Sequence, residues 1–132
     1  MGTRPSVAHV EARGAYPPHP ASPRRARRLV HDQLQAHGFD GSADTAALLT
    51  SELATNAVLH TGEPFTISIQ LDDGYARVEV CDPSNRMPLA RESDPETPDG
   101  QGLRILDALA DRWGIETRDG GGKMVWFEIR DR

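Results

Sequence analysis

Three groups of residues in this chain have types and spacings that could do chemistry. The first is Glu52 and Asn56, an acid and an amide four positions apart in the stretch SELATNAVLHTG, Ser51–Gly62. At about 100° per helical residue they share one face, and His60 extends the row by a turn. On the same wheel Leu49 and Leu53 flank the row on one side, Leu48 and Leu59 on the other. Burying an amide or hydroxyl without partners costs roughly 2–7 kcal/mol, and a carboxylate more. Such a pair is therefore either satisfied internally or kept for a ligand. An amide oxygen suits Mg²⁺, which takes a few hard ligands plus waters and phosphates. A carboxylate beside it would act as general base near a transferred phosphate. The alternative is a polar pair hydrogen-bonded in the core or at an interface.

The second group is Asp82, which follows the apolar strand end Val80-Cys81. A carboxylate at a strand end beside an irregular loop can accept from an exocyclic amine such as that of adenine. The competing reading is a turn aspartate before Pro83. The third is Asp99-Gly100-Gln101-Gly102-Leu103, where a long loop meets a helix. Glycine permits close backbone approach, and the first N–H groups of a helix are unpaired donors that suit an anion. A flexible turn before a helix has the same composition.

Other candidates carry less. The histidines show no zinc spacing, and Cys81 has no companion cysteine for a metal site or a disulfide. Arg24, Arg25, Arg27 and Arg28 form a basic cluster, either a solvated helix face or a dock for an acidic protein partner. Trp113 and Trp126 are expected in the core.

The elements that must position these groups follow from periodicity and breakers. His9–Tyr16 alternates and is expected as an edge strand. After the proline-rich Pro17–Pro23, Ser22 is the expected N-cap of a helix that ends at Gly38. A second helix, capped by Ser42 or Asp44, runs to about His60 and stops at Gly62 and Pro64. Phe65–Leu71 and Tyr75–Cys81 form a hairpin around Asp72-Asp73-Gly74. Asp82–Gly100 is irregular and reads as a functional lid. Leu103–Ala110 is a short helix, and Asp111–Thr117 and Lys123–Ile129 are the last strands. Grouped helices and a mixed, mostly antiparallel sheet give an α+β two-layer sandwich with helices on one face. The expected division is an N-terminal segment, residues 1–21, and a single domain, residues 22–132, with the lid at 83–100.

Composition bounds the reading. The chain has 132 residues, 37% hydrophobic and 27% charged, which suits one globular domain. A net charge of -5 argues against nucleic acid as the main partner. The chain has no apolar run of membrane-spanning length and no signal-peptide core, so a cytoplasmic location is expected.

The order of the three groups resembles the GHKL ATPase superfamily, the Bergerat ATP-binding fold. ELATNAVLH looks like its N box, CDPSNRMP stands at the first glycine box, and DGQGLRIL looks like the second. With ALADRWGI and GGKMVWFEI, the chain is most similar to the small anti-sigma-factor serine/threonine kinases of the actinobacterial regulator type. The resemblance covers Ser22–Ile129. It implies ATP and Mg²⁺ as cofactors, with Asn56 on the metal and Glu52 as catalytic base. It further implies Asp82 on adenine, and Gly100, Gly102 and Leu103 in the nucleotide-binding segment. The implied partners are a sigma factor and an anti-anti-sigma protein of STAS fold, with the kinase a homodimer. One departure is plain: Asp82-Pro83-Ser84-Asn85-Arg86 carries neither glycine of the usual D-x-G-x-G. Two other readings stay open, a non-catalytic ATP-binding regulator that sequesters a protein, and an ATPase or detached histidine-kinase catalytic domain.

Overall fold

Strict alternation in two stretches sets the centre of the sheet. Phe65, Ile67, Ile69 and Leu71 point one way from β2 (Phe65–Asp72), and Ala76, Val78 and Val80 point the same way from β3 (Tyr75–Asp82). In the computed structural model, which describes residues 10–84 and 98–131, these side chains are buried under three helices. The chain order is β1 (Val10–Tyr16), α1 (Ser22–Ala36), α2 (Asp40–Asn56), a π turn (Ala57–Thr61), β2, β3, α3 (Pro98–Leu109), β4 (Arg112–Thr117) and β5 (Lys123–Arg130). The strands lie in the order β1-β2-β3-β5-β4, and every described pairing is antiparallel. This is the expected α+β sandwich, with the helices on one face. The expected hairpin at Asp72-Asp73-Gly74 is present, with Asp72 opposite Tyr75 and Gly74 at φ 81.

The helices begin where local chemistry places them rather than at the expected caps. Ser22 lies inside α1 rather than capping it. Its hydroxyl donates to the carbonyl of Pro17 at 2.7 Å, held by the turns of the proline-rich segment. Ala26, Val30 and Leu34 form the buried stripe of α1. The second helix starts at Asp40, a turn earlier than expected, and neither Ser42 nor Asp44 caps it. Phe39 is buried there and its N–H reaches back to Leu34, while Asp40 favours the positive end of the new helix. Asp44 instead accepts from His31 Nε2 at 3.1 Å. Ala43, Ala46 and Ala47 keep α2 thin, so α1 and α2 pack closely.

Trp113 packs against the core and donates to Asp107 at 3.2 Å. Trp126, expected in the core, lies on the open face of the sheet with the Arg77 guanidinium 4.2 Å from its ring centre. Register decides this, because Val125 and Phe127 take the inward positions of β5. Among the described residues no helix is long and apolar enough to cross a membrane.

Candidate functional site

Asn56 is the last α-helical residue of α2 and is buried, at 7% exposure. Its amide nitrogen has no hydrogen-bond partner among the described residues. A buried amide left in this way is disfavoured unless something else completes it. Directly after it the backbone widens into the π turn, which ends at Gly62 with φ 64. A π turn adds a residue per turn, so His60 drops behind the row expected from regular α spacing. Such turns are frequent at functional sites.

Glu52 lies one turn before Asn56, is half-buried, and makes no hydrogen bond or ion pair among the described residues. The leucines around this row are not equivalent, contrary to expectation. Leu49 and Leu53 are buried, whereas Leu48 and Leu59 are exposed at 38% and 61%. The row therefore runs along a boundary. The acid keeps part of its hydration and the amide sits deeper.

Asp82 closes β3 with its side chain only 4% exposed. Both competing sequence readings touch it. Its Oδ1 accepts the Ser84 N–H at 2.8 Å, which makes it a turn aspartate. It also faces the helix layer, in line with Ala76, Val78 and Val80. Lys123, the first residue of β5, stands opposite it and places Nζ 3.0 Å from each carboxylate oxygen. Sequence reasoning missed Lys123. Its signal was a lysine in the inward phase of an alternating strand, ahead of Val125, Phe127 and Ile129.

The glycines are repositioned. Gly100, Gly102 and Leu103 lie inside α3, which begins at Pro98, rather than in a loop ahead of a helix starting at Leu103. Proline suits a first helical position and needs no partner for a missing N–H. The lid is shorter than expected at its C-terminal end, and its residues 85–97 lie outside the described residues.

Topology brings the groups toward one end of the sheet. Only Gly62, Glu63 and Pro64 join the π turn to Phe65, and Thr66 pairs with Cys81, next to Asp82. The C-terminal end of α2 is thus held at the Asp82 end. The short link at Ala110-Asp111 ties α3 to Arg112, at the opposite end of β4 from Thr117 and Lys123. The helix packs on α2 and β4 and is about 18 Å long by helical rise. Among the described residues no group of three metal-ligating side chains exists. A single amide oxygen, with phosphates and waters completing the shell, fits Mg²⁺ and no ion that needs a full protein cage.

Elsewhere, Tyr16, Arg24, Arg25, Arg28, Leu29 and Asp32 line a hollow of about 400 Å³ at the α1 surface.

Comparisons with known proteins agree with this architecture. The family model described as histidine kinase-like ATPase domain matches residues 16–129. A Streptomyces coelicolor protein, described as the uncharacterized protein SCO4941, is 38% identical over 73 residues, covering 52% of this chain and 70% of that one. The crystal structure of the RsbU and RsbW domains of Rv1364c from Mycobacterium tuberculosis superposes with a TM-score of 0.70 at 20% identity. That match covers 92% of this chain and 32% of the other, so this chain spans about a third of it. The chain belongs to the histidine kinase-like ATPase domain family.

Proposed function

We propose that this histidine kinase-like ATPase domain binds ATP with Mg²⁺ and acts as a protein serine/threonine kinase that doubles as an anti-sigma factor. It would phosphorylate an anti-anti-sigma protein of STAS fold and, when free of it, sequester a sigma factor. The observation that carries the reading is the buried amide of Asn56, whose nitrogen has no partner among the described residues, with the half-buried Glu52 one turn away. Asn56 would supply the protein's oxygen to Mg²⁺. Asp82 would accept from the adenine amine, and the first N–H groups of α3, around Gly100 and ahead of Gly102 and Leu103, would receive phosphate. Bound ATP-Mg²⁺ supplies the phosphoryl group and neutralises its charge. Glu52, partly hydrated, would orient the acceptor hydroxyl and take its proton. A fully buried carboxylate could not meet a protein substrate, so its boundary position supports this role. Exposed Leu48 and Leu59, on the open side of this row, offer apolar contact to an incoming protein. The arginine-lined hollow at α1 suits an acidic partner surface. The resemblance to the small kinases also supports a homodimer in the cytoplasm.

The test is phosphate transfer from labelled ATP to the cognate STAS protein. Transfer is expected with the natural chain and lost in Glu52→Ala, with nucleotide affinity retained. In Asn56→Ala the Mg²⁺-dependent part of that affinity should vanish. Absence of any nucleotide binding at millimolar Mg²⁺ overturns the reading. A second reading is favoured by one observation: the box after Asp82 has no glycine, and Asp82 is already paired with Lys123. In that case the chain is a non-catalytic regulator, and a sigma-factor complex forms without phosphate transfer and survives Glu52→Ala.

A further inference from the structure

The flank of α1 beside β1 gathers positive charge that the fold itself does not use. Arg24, Arg25 and Arg28 line the hollow of about 400 Å³ together with Tyr16, Leu29 and Asp32. His31 fixes the orientation of the helix, since it reaches Asp44 on α2. Arg25, Leu29 and Asp32 lie about 100–160° around α1 from it, on the side away from α2 and its Glu52–Asn56 row. None of the three guanidinium groups has a hydrogen-bond or ion-pair partner among the described residues. Asp32, four positions after Arg28, stands instead 3.6 Å from His31 Nδ1. Arg24 and Arg28 are themselves i and i+4, a like-charge pairing that destabilises a helix. Arg24 and Arg25 also sit in the first turn of α1, at the positive end of its dipole, with no acid there to offset them. An anion in the hollow relieves both penalties.

Tyr16 supplies an independent observation. It is only 9% exposed, and its ring stacks on Phe65 with centroids 5.4 Å apart. The ring lies across Gly14, where a Cβ would stand 2.5 Å from Tyr16 Oη, so the missing side chain at 14 makes room for it. The hydroxyl has no hydrogen-bond partner among the described residues, although Tyr16 lines the hollow and feels the charge of Arg25. A buried phenol ordinarily finds an acceptor, and an anion in the hollow supplies one.

Three arginines against one aspartate leave two positive charges. That matches a phosphate monoester, at about -1.5 to -2 near pH 7, better than the single charge of a carboxylate. Guanidinium forks fit phosphate oxygens in pairs, and Leu29 with the Tyr16 ring offers an apolar wall to a carbon skeleton. We propose that this hollow binds the phosphate group of a small phosphate monoester, with Arg24, Arg25 and Arg28 on its oxygens and the Tyr16 hydroxyl donating to it. The site is separate from the nucleotide site and does not depend on that reading. It coincides with the surface that suits an acidic partner, so the ester and such a partner compete for it.

Calorimetric titration of the full chain without nucleotide or Mg²⁺ tests it, with glucose 6-phosphate, inorganic phosphate, glucuronate and glucose as probes. Both phosphates should bind at millimolar concentration or below. Glucuronate, which carries a carboxylate in place of the phosphate ester, should bind at least about fivefold more weakly, and glucose not at all. Arg25→Gln with Arg28→Gln should weaken glucose 6-phosphate at least about tenfold. Tyr16→Phe, which keeps the stack on Phe65, should weaken it at least about threefold. Arg25 and Arg28 are exposed, so the double variant keeps its fold, and melting temperatures check both variants. The inference fails if neither phosphate binds or if glucuronate binds as tightly as glucose 6-phosphate. Unchanged affinity in either variant also overturns it, because the anion then sits elsewhere.

Discussion

β3 and β5 carry two cross-strand ion pairs on opposite faces of the sheet. Asp82 and Lys123 face the helices, whereas Arg77 and Glu128 face away from them. The open-face pair is saturated. Arg77 donates to Glu79 at 2.9 Å and to Glu128 at 3.0 Å, and its guanidinium covers Trp126. Burial opposes the charge of Arg77, but its hydrogen bonds to Glu79 and Glu128 and their negative charge outweigh it and hold the group above its ordinary value. Its members are 17–24% exposed, so water completes what the protein leaves. The helix-side pair joins a base to an acid in the same way, at less than a third of that exposure. Burial is what separates two cross-strand ion pairs of similar chemistry.

Breaking one partner of each pair should separate them most. Asp82→Ala leaves the Lys123 ammonium buried and alone, and chemical denaturation should show a loss of about 3–5 kcal/mol. Replacing both, as Asp82→Leu with Lys123→Met, removes the charges together. Stability should then be unchanged or raised by about 1–4 kcal/mol, with purine binding lost. Arg77→Ala gives up solvated ion pairs and a cation–π contact, and should cost about 1–2 kcal/mol with nucleotide affinity intact. Ser42 sharpens the contrast further, since its hydroxyl is as buried as Asp82 but has no partner among the described residues. Ser42→Ala should therefore be neutral or stabilising by up to about 1 kcal/mol. The smallest effect concerns Cys81, next to Asp82 but on the open face, where burial pushes the thiol above its ordinary value. Its alkylation should be slower than that of a free thiol at pH 8, and the rise in rate with pH should come later.

Much of this molecule was legible in the residues. Alternation in Phe65–Leu71 and Tyr75–Cys81, with Asp72-Asp73-Gly74 between, specifies a hairpin without tertiary help. Glu52 and Asn56 were correctly placed on one helix, because i and i+4 share a face wherever α geometry holds. What failed depended on neighbours distant in sequence. Ser22 reads as a cap until Pro17 takes its hydroxyl. Asp44 reads as a cap until Phe39 is buried and starts the helix earlier. Leu48 and Leu59 match Leu49 and Leu53 in type, and only the packing of α2 tells the wet side from the dry one. The π turn after Asn56 has no pattern of its own in the chain.

Sequence alone determined the elements, the family and the residues that could do chemistry, because short-range periodicity and turn chemistry act within a few positions. Only the tertiary structure decided that Lys123 meets Asp82, forty-one positions away. That meeting follows from β5 inserting between β3 and β4, which no local preference encodes. The same insertion turned Trp126 outward and buried the ion pair.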